Sequence, residues 1–376
     1  MSTTLGVVLF IVVLIFVVVV HEAGHFVTAK LFGIKVEEFF VGFGPRLWSF
    51  RRGETEYGLK AIPAGGYVRI AGMNPFQEIT PEEYPRTFGA KPIWQRAIVI
   101  LAGPVTHFVI AALFLMFFFV AIGVPNENRP MIAAIEPTLN GQVSPAVEAG
   151  LRAGDEIIAV DSVPVSSTDT FINYTRSHVG QPVRLTVRRD GRTITVTATP
   201  VPARVPGEPR PVGRLGVSLD FVRQRTDPFT AVGRSVILTG QQTKEVVTRL
   251  GDVFGPTALR RVGRLLVGSG DRTPNDAIGV VGASRIAGQA VRAGAWDFFI
   301  SLLVGFNIFV AILNLVPLPP LDGGHLAILA YEKLRRRKPD IRKLVPLTAL
   351  VTGFIILFAL AITYLDIVNP IPTPFR

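Results

Sequence analysis

The chain has 376 residues, 49% of them hydrophobic, with no cysteine and a formal charge of +11. This length and hydrophobic share fit a polytopic membrane protein with a soluble insert better than a soluble enzyme. The missing cysteine excludes disulfide scaffolds, thiolate zinc sites and cysteine nucleophiles, and in a membrane protein the positive charge reads as a surface facing the lipid bilayer, with no nucleic-acid partner expected.

In chain order, residues 5–20, "LGVVLFIVVLIFVVVV", have no Lys or Arg before them and no small-x-small cleavage site after them. They read as a retained first transmembrane helix, residues 1–29, rather than a signal peptide. Residues 30–96 form a loop rich in Lys and Arg, in which "RLWSFRRGETEYGLKAIPAGGYVRIAGM" alternates like a β-hairpin. A second transmembrane helix is expected over 97–124, with Gly103, Pro104, Thr106 and His107 in its first half.

Residues 126–202 read as short strands and a helix. There "SPAVEAGLRAGDEIIAVDSVPV" resembles a PDZ domain, and "VRLTVRRDGRTITVTATPV" turns at Asp190-Gly191. Residues 203–297 follow as a linker, Pro-rich in "VPARVPGEPRPVG", and as amphipathic helices over 228–266 that carry Arg234, Lys244, Arg249, Arg260 and Arg264. A third transmembrane segment, 298–331, is broken by "NLVPLPP" at about residue 318 and carries "LDG". A basic loop, 332–343, and a fourth transmembrane helix, 345–367, complete the chain.

The basic loops 30–96 and 332–343 orient the spans by the positive-inside rule. They are expected in the cytoplasm, with both termini and the insert outside. The fold class is therefore a polytopic α-helical membrane protein of about four transmembrane helices. It has a membrane-associated β-hairpin region and an inserted extracytoplasmic PDZ-like α+β domain.

The chemistry gathers at His21-Glu22-Ala23-Gly24-His25. On a helix, positions i and i+4 share a face, so His21 and His25 are placed to hold one zinc ion, with Glu22 beside them to take a proton from an attacking water. Polar groups so close to hydrocarbon cost several kcal/mol to insert, and by default they are functional. A catalytic zinc needs a third protein ligand. His107, His178, His325 and the carboxylates remain. Asp322 stands out among the carboxylates for its apolar surroundings, and His325 competes with it. His178 reads as a surface residue of the insert and His107 as a packed residue of the second helix.

HEAGH at the end of a first transmembrane helix, followed by Asn314-x-x-Pro317-x-x-x-Leu321-Asp322-Gly323 in a later segment, resembles the site-2 protease family of intramembrane zinc metalloproteases. "VGFGPRLWS", "AIPAGGYVRIAGM" and "LAGPVTHF" are similar to its bacterial PDZ-bearing branch, most of all to actinobacterial members. The resemblance implies Zn2+ held by His21, His25 and Asp322, Glu22 as the catalytic base, and Asn314 and Pro317 in substrate handling. It also implies single-pass transmembrane substrates of the anti-sigma-factor kind, first cut by a site-1-type protease, with leftover signal peptides as further substrates. Relatives commonly carry Asn where this chain has His107, which stays a substrate-cleft candidate. Some relatives have two PDZ domains where this chain has one convincing repeat.

A transmembrane substrate must be unwound before it is cut, and its freed backbone needs a partner. The stretch Gly65-Gly66-Tyr67-Val68 is expected to bind it as an added strand. The PDZ-like domain is expected either to exclude untrimmed substrates or to recognise a trimmed carboxyl terminus. Two rival readings are a catalytically inactive membrane PDZ adaptor, which requires a missing ligand, and a transporter, which requires paired broken helices.

Overall fold

The computed structural model describes residues 2–74, 76–205, 210–337, 339–373 and 375. It comprises two compact units, Met1–Phe117 with Phe229–Arg376, and Phe118–Pro228.

In the first unit, helix α1 (Thr3–Leu31) starts at Ser2, whose hydroxyl accepts from the Leu5 N–H. Its buried residues are Gly6, Phe10, Val17, His21, His25 and Ala29. These are four or seven apart, so the apolar run and the two histidines present a single face to the protein. Strands β1 (Val36–Arg52) and β2 (Thr55–Ile70) follow. Residues 36–41 pair with 66–70 along one edge and run beside 56–59 along the other, while 46–52 pair with 55–60. The hairpin thus folds on itself into a small sheet with 66–70 as an outer strand. The sequence suggested a hairpin within residues 46–73 of this loop. Its first strand begins ten residues earlier than the quoted "RLWSF" because "VEEFFVGF" is drawn in as the central strand. Phe43, Leu47, Trp48, Phe50, Leu59 and Ile62 are exposed on this sheet.

Helix α2 (Ile93–Phe117) continues through a wider π turn, Phe118–Ile122. After the second unit come α5 (Pro228–Phe254), α6 (Pro256–Leu266), α7 (Val280–Arg292), α8 (Trp296–Asn314), α9 (Asp322–Arg335) and α10 (Val345–Val368). Helix α1 packs on α2 and α7, α2 on α8 and α9, and α7 on α8 and α10. Where α1 meets α7, Gly6 faces the Gly288 Cα so closely that an added Cβ would lie 2.7 Å from it. Small residues of this kind let membrane helices approach backbone to backbone. One end of α10 is fixed to the start of α7 by a buried charge: Asp366 accepts from Arg272 Nη1 at 2.9 Å and from the N–H groups of Gly279 and Gly282 at 3.0 and 2.8 Å. A carboxylate so buried is tolerable only with its lone pairs filled in this way. Among the described residues, four helices are long and apolar enough to cross a membrane: Thr3–Leu31, Ile93–Ile122, Trp296–Asn314 and Arg342–Val368.

The second unit contains β3 (Val124–Ile135), β4 (Thr138–Leu139), β5 (Gln142–Val143), α3 (Pro145–Glu148), β6 (Glu156–Val160), β7 (Val163–Pro164), α4 (Thr168–Ser177), β8 (Val183–Arg189), β9 (Arg192–Ala198), β10 (Val201–Ala203), β11 (Val212–Arg214) and β12 (Val217–Gln224). The main sheet runs β12-β3-β6-β8-β9, with β7 on β6. The alternating apolar residues Ile132, Ile157, Val160, Val183, Leu185 and Val187 turn inward under Phe171 of α4. Asp155 ties down the turn before β6, accepting from the Arg152 N–H and a two-nitrogen fork from Arg189. Burial raises the pKa of this carboxyl, but the Arg189 fork and the Arg152 N–H outweigh it and hold the carboxyl below its ordinary value.

This unit runs beyond the 126–202 expected from the sequence. Strand β12, inside what reads as linker, pairs with β3 from Val217↔Ile135 to Gln224↔Val124. The ends of the Pro-rich stretch pair as β10 with β11, and its centre, residues 206–209, lies outside the described residues. Helices α5 and α6 do form where the sequence showed helical periodicity.

Candidate metal centre

The centre is built where α1 crosses α2. Gly24 meets Ala102 O so closely that a Cβ there would sit 2.7 Å away. A Cβ on Gly103 would lie 2.2 Å from His25 Nε2 and 2.8 Å from His21 Cε1. Only glycine lets the two helices close far enough for α2 to form a wall directly behind both imidazoles. His25 Nδ1 donates to the Val99 carbonyl at 2.7 Å. That fixes the tautomer and leaves the Nε2 lone pair free for a metal.

The third element is α9. After α8 ends at Asn314, the chain turns through "LVPLPPL" and α9 begins at Asp322. A Cβ on Gly323 would lie 2.3 Å from the carbonyls of Leu315 and Val316, and one on Gly324 2.4 Å from Pro319 N. The glycine pair lets the first turn of α9 nest on the proline-broken segment, which carries Asp322 to the histidines.

His21 Nε2 lies 3.2 Å from His25 Nε2, and Asp322 Oδ2 lies 3.5 Å from each. The edge of a tetrahedron around zinc with nitrogen or oxygen ligands is about 3.3–3.4 Å, so the spacing suits a shared ion. The electronic arrangement agrees. His25 Nε2 is a bare lone pair, and it converges with a second imidazole nitrogen and a carboxylate oxygen, three acceptors that a cation would hold together. Among the described residues this is the only group of three such side chains able to share a metal. Asp322 joins the pair and His325 does not, although both start the same helix. A zinc ion bound here would retain an open position for water, as catalytic zinc sites do.

Glu22 faces the outer strand of the small sheet. A Cβ on Gly66 would lie 3.3 Å from Glu22 Cγ, and the Val68 N–H approaches the Glu22 carboxylate. Gly65 has φ +127°, backbone open to glycine alone in practice. Tyr67 is held by Phe40, stacked at 5.8 Å, and by its hydroxyl on Glu38. Asn314 closes α8 half-buried and Pro317 is exposed. His178 stacks on Tyr174 at 4.1 Å within the second unit.

Sequence reasoning missed Asn307. It is wholly buried on α8, donates to the Leu303 carbonyl at 2.8 Å and turns its Oδ1 to His107 Nδ1 at 3.2 Å. The His107 ring lies 5.0 Å from that of His21. The signal was present: an Asn inside the apolar run "VGFNIFVAIL" is costly in a membrane without a partner.

Helix α1 delivers a histidine pair with an adjoining glutamate, α9 delivers an aspartate, and α1 and the α2 wall behind the rings are of membrane-spanning length and apolarity: these are the parts of a membrane-embedded zinc hydrolase. Residues 9–360 match the model of Peptidase family M50. The chain is 37% identical over 401 residues to the zinc metalloprotease Rip1 of Mycobacterium tuberculosis, covering 97% of this chain and 98% of that one. It is 36% identical over 404 residues to Rip1 of Mycolicibacterium smegmatis, covering 98% of each. It is also 31% identical over 366 residues to the metalloprotease MmpA of Caulobacter vibrioides, covering 86% of each. Among solved structures, the PDZ domain of an SdrC-like protein from Listeria innocua is 18% identical, with a TM-score of 0.20, covering 26% of this chain and 99% of that one. The chain belongs to Peptidase family M50, the site-2 proteases, and is an intramembrane zinc metalloprotease of the inner membrane.

Proposed function

We propose that this protein cuts single-pass membrane proteins within or near the bilayer, at a zinc ion held by His21, His25 and Asp322. The observation that carries the reading is the convergence of His21 Nε2, His25 Nε2 and Asp322 Oδ2 within 3.5 Å of one another. Bound zinc supplies Lewis-acid polarisation and a nucleophilic water. The protein's own groups do the rest. Glu22 takes the proton of the attacking water on its carboxylate and returns it to the leaving amine. The Val99 carbonyl holds the His25 ring, and Gly103 holds the wall behind both rings. Asn314 donates a hydrogen bond to the scissile carbonyl as negative charge grows on it. The experiment is cleavage of a single-pass reporter in proteoliposomes by the wild type and by Glu22→Gln.

The substrate binds as a strand added to 66–70, where the outer strand meets Glu22. The exposed apolar residues of the sheet, from Phe43 to Ile62, suit immersion at the membrane interface. Val68→Pro removes one of the strand's donors. It is expected to slow cleavage about tenfold, with zinc content unchanged. Cleavage at the wild-type rate would remove the clamp from the account.

Four spans with loops 30–96 and 332–343 in the cytoplasm leave both termini and the PDZ-like domain outside. Substrates in this arrangement are anti-sigma-factor-like proteins already clipped outside by another protease, with remnant signal peptides as a second group. The PDZ-like domain acts as a gate against untrimmed substrates. Deleting the whole domain, residues 124–224 from β3 to β12, is expected to permit cleavage of the untrimmed reporter; loss of all cleavage would instead make the domain a recognition module for trimmed ends.

A further inference from the structure

Helix α9 has chemistry at both ends. Asp322 opens it, and its last turn and the loop beyond carry Lys333, Arg335, Arg336, Arg337, Arg342 and Lys343, all exposed. The nearby carboxylates are committed elsewhere. Glu332 takes a two-nitrogen fork from Arg96 at 2.8 and 2.9 Å, and Asp340 accepts from the Arg342 N–H. Apolar side chains are interleaved with the charges: Leu334 is 83% exposed between Lys333 and Arg335, and Tyr331 is exposed one turn earlier. Trp94, two residues before Arg96 on α2, is also exposed. Tryptophan and tyrosine at one level, with a lysine–arginine cluster beside them, mark the headgroup level of a bilayer. From Asp322 to Arg335 the helix rises about 20 Å, enough to reach from the hydrocarbon interior to the headgroups across half of a core about 30 Å thick.

We infer that the basic end of α9 and the loop after it bind anionic phospholipid headgroups, and that this contact seats Asp322 against His21 and His25. The proposal rests on the protease reading above, with the loop on the cytoplasmic side. The mechanical link is short. Helix α9 packs on α2, the Arg96–Glu332 fork fixes its C-terminal half there, and α2 forms the wall behind the imidazoles. Headgroups holding the basic end act with this fork to keep the axial position of α9, and its first residue with it. The surface is a leaflet rather than a pocket: six cations spread over a helix end and a loop match many phosphates, and Leu334 enters between them.

The test uses the full chain in nanodiscs of phosphatidylcholine alone or with phosphatidylglycerol. It compares the wild type with a variant carrying Arg335→Gln, Arg336→Asn, Arg337→Gln, Arg342→Gln and Lys343→Gln. Reporter cleavage by the wild type is expected to rise at least fivefold with phosphatidylglycerol, and zinc release to a chelator to slow by a similar factor. The variant should respond to neither lipid. Native mass spectrometry of Glu22→Gln protein should find phosphatidylglycerol retained, and lost when the five substitutions are added. Equal behaviour in both lipids, or a variant that responds like the wild type, overturns the proposal. Retention needs no cleavage, so it separates the two claims: phosphatidylglycerol held through these residues, together with a wild type that cuts the reporter in neither lipid, would defeat the protease reading and leave the lipid site standing.

Discussion

Glu22→Gln is expected to bind zinc as the wild type does and to lose about 10²–10⁴-fold in cleavage rate, the usual range for a positioned general acid–base group. Glu22 belongs to the same helix turn as His21 and His25 but not to their cluster, and it faces Gly66 and Val68 of the outer strand instead. Glutamine keeps the shape and the ability to accept from the Val68 N–H and removes the proton acceptor. A single-turnover assay in proteoliposomes, with metal analysis of the same preparation, reads both halves. Wild-type turnover by a zinc-loaded Glu22→Gln protein would move the base elsewhere. Loss of zinc together with turnover would make Glu22 part of the metal-binding set.

Gly103→Ala carries the second large effect. The new methyl would lie 2.2 Å from His25 Nε2 and 2.5 Å from its Cε1. Relief needs a ring shift of more than 1 Å, whereas metal sites tolerate about 0.2 Å in their ligand distances. Zinc affinity is expected to fall more than about 100-fold, beyond the usual effect of a residue that only orients a ligand. Gly305→Ala on α8 is the control: a Cβ there meets nothing within 4 Å, so zinc and cleavage should be unchanged. Zinc bound normally by Gly103→Ala protein would show that α2 does not form the wall behind the site.

The part of the candidate site on α1 was legible because its signal is local. The i, i+4 histidines, the glutamate between them and the apolar run before them are fixed by helix geometry alone. Asp322 was legible by resemblance, while residue reasoning left it level with His325. What separates the two is the nesting of Gly323 on the carbonyls of Leu315 and Val316 and of Gly324 on Pro319, contacts that appear only once the chain has turned. Strand β12 was hidden because its partner, β3, is more than eighty residues away, and nothing within "VSLDFVRQ" names that partner. Helix α7, "VVGASRIAGQAVR", was passed over although it is amphipathic, because the face it packs on α1 is built largely of Gly and Ala, which carry a weak apolar signal. Asn307 was overlooked in favour of Asn314, since its hydrogen bond to His107 joins two helices two hundred positions apart.

The most direct test is zinc content in the purified wild type, Asp322→Ala and His325→Ala proteins, each checked for unchanged helicity. The account predicts one zinc per chain in the wild type and in His325→Ala, and none in Asp322→Ala after dialysis. Zinc retained by Asp322→Ala, or lost from His325→Ala alone, would contradict it.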